Sequence, residues 1–493
     1  MSLYIPCNGR SQILNFDILV QSRDGERREE GCWECISNGQ KCDNSMPGCY
    51  ACEARQQVCP GYGLRTNQSK RKSPQNAWNS ESKPSTMRPL DFANEMPRPG
   101  ISSAHAYYLQ HFAKNISRIA LAIDYEGNGY RNWIQATMND DLLLETILAV
   151  SSSHLARWQK LPSLQQSRAY HRRALLKLKE RLQDPYLVQL ESTLAALMFF
   201  ISYEVFSGSN RWKDHHVRAM AWVQAFGRKT TISPFLKTWV SMVNSQSALN
   251  AGVAVLPQVE AWLAKNSPSP GAALIDPFFG CTTELPSLML RAAQLNYTVR
   301  ALVPWGEIIP DYLRSQLEQL KTRVAATKIK DDDVPIFSLS CDESGAKVLP
   351  ISYLNQGETS SRAIAVAEIF RHATLIYITR IINHSSILQE SEIQESVDAV
   401  ISLLPSVPDV VGPGSNLGWA FVVVGAEIDD EEQREYIRSR LRSMYSLAIH
   451  NVQSAEVTLE AVWRNREAAH AGFEDMKSWQ DVLTGIQAEQ ILI

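Results

Sequence analysis

Residues 32–63, CWECISNGQKCDNSMPGCYACEARQQVCPGYG, decide the fold of the N-terminal part of the chain. The cysteines follow the spacing C-x2-C-x6-C-x6-C-x2-C-x6-C, so the same half is written twice. Two cysteine thiolates with two residues between them can bind one ion from a single turn. A third cysteine, after six more residues, can bind the same ion. Three thiolates per half leave each ion one ligand short of a tetrahedron, and sharing sulfurs between two ions supplies it. The spacing predicts two Zn²⁺ ions per chain, held by Cys32, Cys35, Cys42, Cys49, Cys52 and Cys59.

The alternative is that these cysteines form three disulfides or remain buried thiols. Cysteine pairs with C-x-x-C spacing in an intracellular chain indicate zinc instead. The other three cysteines, Cys7, Cys281 and Cys341, are scattered along the chain. This distribution favours a metal site in a reducing compartment over a disulfide scaffold.

The segment resembles the six-cysteine binuclear zinc cluster of fungal transcription regulators. The likeness covers all six cysteines, Asp43, Pro47 and the exit CPGYG at 59–63. In that family the first and fourth cysteines bridge the two ions, which implies this role for Cys32 and Cys49. The remaining ligands are then Cys35 and Cys42 on one ion, and Cys52 and Cys59 on the other.

The resemblance also implies a function. Members of this family are zinc-dependent, sequence-specific DNA-binding regulators of RNA polymerase II genes. We therefore expect a nuclear protein whose partners are DNA with CGG-type half-sites and co-regulators or the transcription machinery. Because thiolates fill every coordination position, the zinc is expected to be structural and the chain is not expected to be an enzyme.

The segment that contacts DNA in such regulators carries little charge here. In the family, basic residues between the second and third cysteines contact phosphates and bases, whereas this chain has ISNGQK at 36–41, with Lys41 as its one cation. Across 32–59 two basic side chains stand against three acidic ones. Six thiolates on two Zn²⁺ ions then bring the module to about −3. DNA phosphates repel a negative module.

Basic residues downstream compensate in part, because residues 60–88 carry a net charge of +5. They form an arm that can follow the DNA backbone, and the run at 70–72 is also a candidate nuclear import signal. Lys41 is the predicted phosphate contact, and Asn38 is the candidate base contact because an Asn amide can pair with the adenine edge. The candidate DNA-binding residues are Asn38, Lys41, Arg65, Lys70, Arg71 and Lys72.

Three explanations stay open for the missing charge at 36–40. The protein binds DNA weakly with help from partners, or it is a helical regulatory or scaffold protein whose cluster no longer contacts DNA, or the segment is a faulty gene model.

Length and composition point to more than one folded unit. The chain has 493 residues, of which 44% are hydrophobic, and a net charge of only −3. A chain of this length usually forms more than one hydrophobic core. Its net charge gives no overall positive potential that would attract nucleic acid. The longest apolar run, near 194–206, is too short to span a bilayer, so no membrane association is expected.

The expected division has four parts. They are an N-terminal extension without fixed structure at 1–31, the zinc cluster at 32–62, a basic, Pro- and Ser-rich flexible linker at 63–103, and a helical domain at 104–493. No apolar heptad follows the cluster, so the coiled coil that dimerises many relatives is absent and the oligomeric state stays open.

The predicted fold class is mostly α, with an irregular all-α regulatory domain after the linker. Asn139 or Asp140 can cap a helix, and the acidic run at 429–432 can begin another, which includes Ala448. The apolar spacing of Leu194, Leu197, Met198, Ile201 and Val205 predicts a central buried helix, and a further apolar stripe begins at Val452. A long helix is expected from about 361 to 382. This region also resembles the helical regulatory domain of fungal factors, in AHAYYLQHFAKNISRIALA, LLLETILAVSSSHLARW, WAFVVVGAEIDDEEQREYIRSRLRSM and NVQSAEVTLEAVWRNREA.

Two features could carry other chemistry. Asp214, His215 and His216 could bind a metal, but neighbouring side chains of a helix point in different directions, so we expect surface or half-buried histidines. The Gly-rich loop at 412–418 departs from G-x-G-x-x-G and contains a Pro, which favours a loop leading into a helix over a nucleotide site.

Overall fold

The computed structural model describes residues 35, 40–42, 50–55, 102–124, 128–161, 163–208, 211–251, 255–264, 274–303, 307–329, 336–338, 348–349, 357–383, 391–407, 414, 416–472 and 477–485. Contacts separate the chain into two units, Met1–Lys114 and Asn115–Ile493. The predicted extension at 1–31 and the predicted linker at 63–103, except its last two residues, lie outside the described residues, and the four-part division of the chain stays a prediction.

The first unit contributes two described α-helices. They are α1 (Tyr50–Ala54) and α2 (Ser103–His111), and a π-helical turn, Phe112–Ile116, follows α2. The Ser102 side chain caps α2 by accepting from the backbone amide of His105.

The second unit is built almost entirely from helices. Its first half contains α3 (Ser117–Ile119), α4 (Gly129–Ala136), α5 (Asp141–Trp158), α6 (Gln165–Gln183), α7 (Glu191–Ser207), α8 (Trp212–Phe226), α9 (Pro234–Ala251) and α10 (Pro257–Ala264). Its second half contains α11 (Leu285–Leu302), α12 (Asp311–Ala326), α13 (Gly357–Ile382), α14 (Ser391–Leu403), α15 (Gly418–Gly425), α16 (Glu431–Ser446), α17 (Val452–His470) and α18 (Trp479–Gly485). The prediction of a mostly α chain is confirmed.

Three short strands add a small sheet that the sequence did not predict. They are β1 (Leu274–Ile275), β2 (Ile336–Ser338) and β3 (Val348–Leu349). Strand β1 runs parallel to β2, with Leu274 opposite Ile336, and β2 runs antiparallel to β3. These strands are too short to show a period-two pattern, and β1 and β2 are far apart in the chain.

Helix α5 begins where the sequence predicts, and the structure selects Asp140 as its cap. The Asp140 carboxylate accepts from the amides of Leu142 and Leu143 at 3.0 and 3.1 Å. It also accepts a bidentate pair of bonds from Arg181 of α6, at 2.6 and 2.8 Å. One side chain thus starts α5 and ties α6 to its first turn.

Helix α7 is the central buried helix that the apolar spacing predicts. Nearly every side chain from Thr193 to Phe206 is buried, because α5 and α8 pack against it. The helix ends at Gly208, whose φ of +67° lies in the left-handed region that favours glycine. A Cβ there would also stand 3.1 Å from the Cβ of His450.

The two C-terminal helices confirm most of the predicted pattern. Asp430 caps α16, and the stripe that begins at Val452 is buried along α17. The prediction that Ala448 belongs to the helix was wrong, because α16 ends at Ser446 and Ala448 takes a φ of +62° in the following turn. Ala448 is therefore buried by a turn, although its spacing from the preceding apolar residues is that of a helix.

The long helix expected from about 361 to 382 is α13. Helix α13 begins at Gly357, four residues before the predicted start, and α15 begins at Gly418, the last residue of the Gly-rich loop. Within the described part of the chain, every helix is too short or too polar to cross a bilayer.

Candidate functional site

Three of the six predicted zinc ligands lie among the described residues. Cys35 and Cys52 are fully buried, and Cys42 is half-buried. The Sγ atoms of Cys35 and Cys52 lie 4.0 Å apart, although the two residues are separated by 17 positions. The other three ligands, Cys32, Cys49 and Cys59, lie outside the described residues.

Short local turns place the two buried sulfurs. The amide of Gln40 donates to the carbonyl of Cys35 at 2.8 Å, and the amide of Arg55 donates to the carbonyl of Cys52 at 3.1 Å. Cys52 lies within α1, so its side chain projects from a single helical turn. These turns bring the Cys35 and Cys52 side chains together in one buried position.

The separation of the sulfurs is too long for a disulfide between Cys35 and Cys52. A disulfide needs sulfurs about 2.0 Å apart, whereas these two sulfurs lie 4.0 Å apart, the distance of two thiols in contact. The resemblance places Cys35 and Cys52 on different ions. Which sulfur serves which ion, as the resemblance assigns them, stays a prediction.

Arg55 contacts both sulfurs, a role that the sequence analysis missed. Its Nη2 donates to Cys35 Sγ at 3.3 Å and to Cys52 Sγ at 3.6 Å. The hydrogen bonds to Cys35 and then to Cys52 raise the pKa of Arg55 above its usual value. The sequence signal was an Arg three residues after a Cys, a spacing that brings side chains together on a helix. Its guanidinium is directed at both sulfurs.

Lys41 is the candidate DNA contact that the structure describes. It is exposed and directly precedes the half-buried Cys42. The side chain is therefore accessible to a phosphate. The other candidates, Asn38, Arg65, Lys70, Arg71 and Lys72, lie outside the described residues, and their role stays a prediction.

The second unit contains a cavity of about 230 Å³ between α11, α13, α17 and α18. On one side, Asn296 Nδ2 donates to the Tyr377 hydroxyl at 2.8 Å and to Gln480 Oε1 at 2.9 Å. Burial raises the pKa of Tyr377 to about 12, so its hydroxyl stays protonated. The cavity is smaller than most ligand pockets, which span about 300 to 1,000 Å³.

Ion pairs line the other side of this cavity. Arg380 Nε donates to Glu427 Oε1 at 2.8 Å, and Arg466 Nη1 donates to Glu427 Oε2 at 3.2 Å. Arg466 also binds Asp429 at 3.0 Å, and Arg300 pairs with Asp481. These charges compensate one another, so this wall links α13 to α17 and α11 to α18.

The trio at 214–216 does not come together as a metal site. Asp214 is exposed, whereas His215 and His216 are both buried, so the prediction of surface or half-buried histidines was wrong. Their burial follows from the position of α8 between neighbouring helices. His216 lies 3.3 Å from Asn244 of α9, and His215 lies 3.4 Å from Glu204 of α7. The two rings therefore point to different neighbours, as adjacent positions on a helix require.

Comparison with known proteins gives one family match and one distant relative. The model of the fungal specific transcription factor domain matches residues 107–488. The acriflavine sensitivity control protein of Neurospora crassa is 21% identical over 416 residues, which is 80% of this chain and 68% of that protein. No solved structure matches. Because the family model covers most of the chain, and a helical body follows the cysteine motif, the chain belongs to the fungal specific transcription factor domain family and is a transcription regulator.

Proposed function

We propose that this regulator binds specific DNA sequences through a zinc cluster and controls RNA polymerase II genes in the nucleus. The observation that carries the proposal is the pair of fully buried sulfurs of Cys35 and Cys52, 4.0 Å apart and both contacted by Arg55. The repeated cysteine spacing and the family membership support it.

Two Zn²⁺ ions would be held by Cys32, Cys35, Cys42, Cys49, Cys52 and Cys59. Bound zinc supplies folding energy to a segment that is too short to bury a core of its own. Arg55 would act around the metal ligands, because its guanidinium offsets the charge of the thiolates that it contacts. An all-thiolate shell leaves no position for a substrate, which agrees with a regulator that is not an enzyme.

DNA contacts would come from both sides of the cluster. Lys41 would bind phosphate, the Asn38 amide would donate to O6 or N7 of a guanine in CGG-type half-sites, and the basic residues at 65–72 would follow the backbone. The helical domain would contact co-regulators or the transcription machinery.

The experiment that tests this proposal is a binding titration of the zinc-loaded full chain. Labelled duplexes with CGG half-sites and matched duplexes with those triplets scrambled are titrated between about 50 and 200 mM salt. We expect tighter binding to the CGG duplexes, and a preference that changes when Asn38 is replaced by Ala. Equal, salt-sensitive binding to both duplexes would reject sequence-specific recognition.

The second candidate is a regulator whose cluster serves folding only and does not contact DNA. It is favoured by the negative charge of the module and by Arg55, whose guanidinium is directed at sulfur. This candidate gains if the zinc-loaded chain binds neither duplex at the lowest salt.

A further inference from the structure

Two histidines and a glutamate converge between three consecutive helices of the second unit. They are His171 of α6, Glu204 of α7 and His215 of α8, and one ligand atom from each lies within 4.8 Å of the others. Glu204 Oε1 is 3.4 Å from His215 Nε2 and 3.8 Å from His171 Nε2. Imidazole and carboxylate are ligands that Zn²⁺ and related ions accept.

The distances suit an ion between these groups better than direct hydrogen bonds. A charged N–H to carboxylate bond usually measures about 2.7 to 2.9 Å, so 3.4 and 3.8 Å are long for one. Ligand atoms bound at about 2.0 to 2.1 Å to a tetrahedral ion stand about 3.3 to 3.4 Å apart. Glu204 and His215 already have this spacing, and His171 is a few tenths of an ångström too far from Glu204. The two imidazole nitrogens lie within 4.8 Å of each other, so the side chain of His171 must also move toward His215 when the ion binds.

The site is buried, with one side near solvent. The side chains of Glu204 and His215 are 3% and 4% exposed, whereas that of His171 is 15% exposed. The His171 Nε2 atom itself is buried and has no hydrogen-bond partner among the described residues. A divalent ion that enters past His171 would meet this nitrogen, the Glu204 carboxylate and His215 Nε2 together.

Aromatic neighbours hold both rings in place. His171 stacks on Tyr203 with ring centroids 4.2 Å apart, and His215 stacks on Phe200 at 5.0 Å. Tyr203 and Phe200 belong to the same helix as Glu204, so α7 fixes all three ligands relative to one another. Such preorganisation reduces the entropy lost when a ligand binds.

His171 is available as a neutral ligand. Burial lowers the pKa of His171 to about 4, so its imidazole is uncharged near neutral pH and keeps a lone pair for a metal.

We propose that Nε2 of His171, Nε2 of His215 and the carboxylate of Glu204 bind one divalent transition-metal ion of the Zn²⁺ class. Water would fill the fourth position, as in other sites with three protein ligands. The ion would tie α6, α7 and α8 together within the helical domain. This site is separate from the cysteine cluster and does not depend on it.

The test compares metal content in the full chain and its variants. The chain is purified, stripped with a chelator, reloaded with zinc and desalted, and zinc per chain is measured. His171→Gln removes one proposed ligand, and His372→Gln is the matched control because His372 is also half-buried with a pKa lowered to about 4 by burial. We expect His171→Gln to retain one zinc fewer than the wild type, with affinity at that site lowered at least about 100-fold, and His372→Gln to retain the full number.

A double variant, Cys35→Ser with Cys52→Ser, separates this site from the proposed cluster. Zinc that remains in this variant and is lost on adding His171→Gln belongs to the histidine site, whatever happens to the cluster. Equal zinc in the wild type and in a folded His171→Gln protein would overturn the inference and leave the cluster untouched.

A spectroscopic experiment uses the cysteine double variant, in which the proposed histidine site is unchanged. Zinc X-ray absorption of the loaded Cys35→Ser, Cys52→Ser chain should show nitrogen and oxygen neighbours at about 2.0 to 2.1 Å. A protein that retains no zinc, or zinc with sulfur neighbours only, would show that the three side chains form a metal-free polar cluster. The X-ray absorption experiment shows whether the three side chains bind zinc even if His171→Gln fails to fold.

Discussion

Arg55 donates a hydrogen bond to the sulfur of Cys35 across 3.3 Å, from 20 residues further along the chain. The same nitrogen reaches Cys52, so one guanidinium joins the two halves of the cysteine motif. Its guanidinium is therefore directed into the module, at the two sulfurs. Among the described residues of the cysteine region, Lys41 is the basic side chain that is exposed to solvent.

Replacing Arg55 by Gln should loosen the metal without removing a ligand. Groups that hydrogen-bond to metal ligands typically change metal affinity by about 10- to 100-fold, so we expect a chelator to extract the cysteine-bound zinc at correspondingly lower concentration. The measurement is a chelator titration with a colorimetric zinc readout. Lys41→Gln is the control and should leave the extraction midpoint unchanged, and an unchanged midpoint for Arg55→Gln would remove Arg55 from the metal site.

Replacing Lys70, Arg71 and Lys72 together by Gln should weaken DNA binding uniformly across sequences. Each phosphate contact adds about 0.9 to the slope of log affinity against log salt, so the slope should become shallower by about 2 to 3. Fluorescence anisotropy at several salt concentrations measures both quantities. A triple variant with the same slope as the wild type would exclude the arm from the DNA contact.

The stability of the helical domain should depend on Asp140. Asp140→Ala removes the cap of α5 and the partner of Arg181, so the free energy of unfolding should fall by about 2 kcal/mol. Asp140→Asn retains a capping side chain and should lose less. Urea unfolding of the three proteins measures these differences, and equal losses for Ala and Asn would mean that the ion pair, and not the cap, matters.

The same carboxylate has a predictable response to acid. Burial alone would raise the pKa of Asp140, but hydrogen bonds from Arg181, Ser192 and the Leu143 amide leave it below its usual value. Its contribution is therefore complete above the unfolded pKa of about 3.9 and is lost as the pH falls through the lower folded value. The stability difference between wild type and Asp140→Asn should shrink toward pH 3.

A second pH dependence should come from His154 of α5. Burial lowers its pKa from 6.5 to about 3, and its ring packs edge-on against Phe206 at 5.0 Å. The unfolded chain then binds more protons than the folded one between these pH values, so stability should fall below pH 6.5 by up to about 1.4 kcal/mol per pH unit. Urea unfolding at pH 7, 6 and 5 measures this fall.

The control for the His154 prediction is a histidine at the surface. Other histidines, among them the half-buried His171 and His372, have pKa values that burial lowers to about 4, and they add to the same fall. His154→Gln should therefore make the fall shallower by up to about 1.4 kcal/mol per pH unit, whereas substitution of the exposed His470 by Gln should leave it unchanged. A wild-type protein that is equally stable at pH 7 and pH 5 would contradict the prediction.

The sequence predicted those parts of the fold that depend on contacts between residues close together in the chain. The Asp140 cap, the buried face of α7 and the stripe of α17 each depend on residues within a few turns of one another. The short parallel pairing of Leu274 with Ile336 depends on contacts between distant segments, and no local pattern carries it.

The candidate sites show the same limit. The cysteine spacing indicated a metal because all ligands lie in one short segment, whereas His171, Glu204 and His215 meet only after three helices have packed. The contact of Arg55 with Cys52 was within reach of helical spacing, but its contact with Cys35 depends on the fold of the module.

The central claim is that the cysteine segment binds two zinc ions, and native mass spectrometry of the zinc-loaded full chain tests it most directly. The wild type should carry about two more zinc ions than Cys35→Ser with Cys52→Ser, because the resemblance assigns one of these ligands to each ion. The control Cys281→Ser, which changes a buried cysteine of the helical domain, should retain the wild-type number. Equal zinc in the wild type and the double variant, or a wild-type mass that shows three disulfides, would contradict the account.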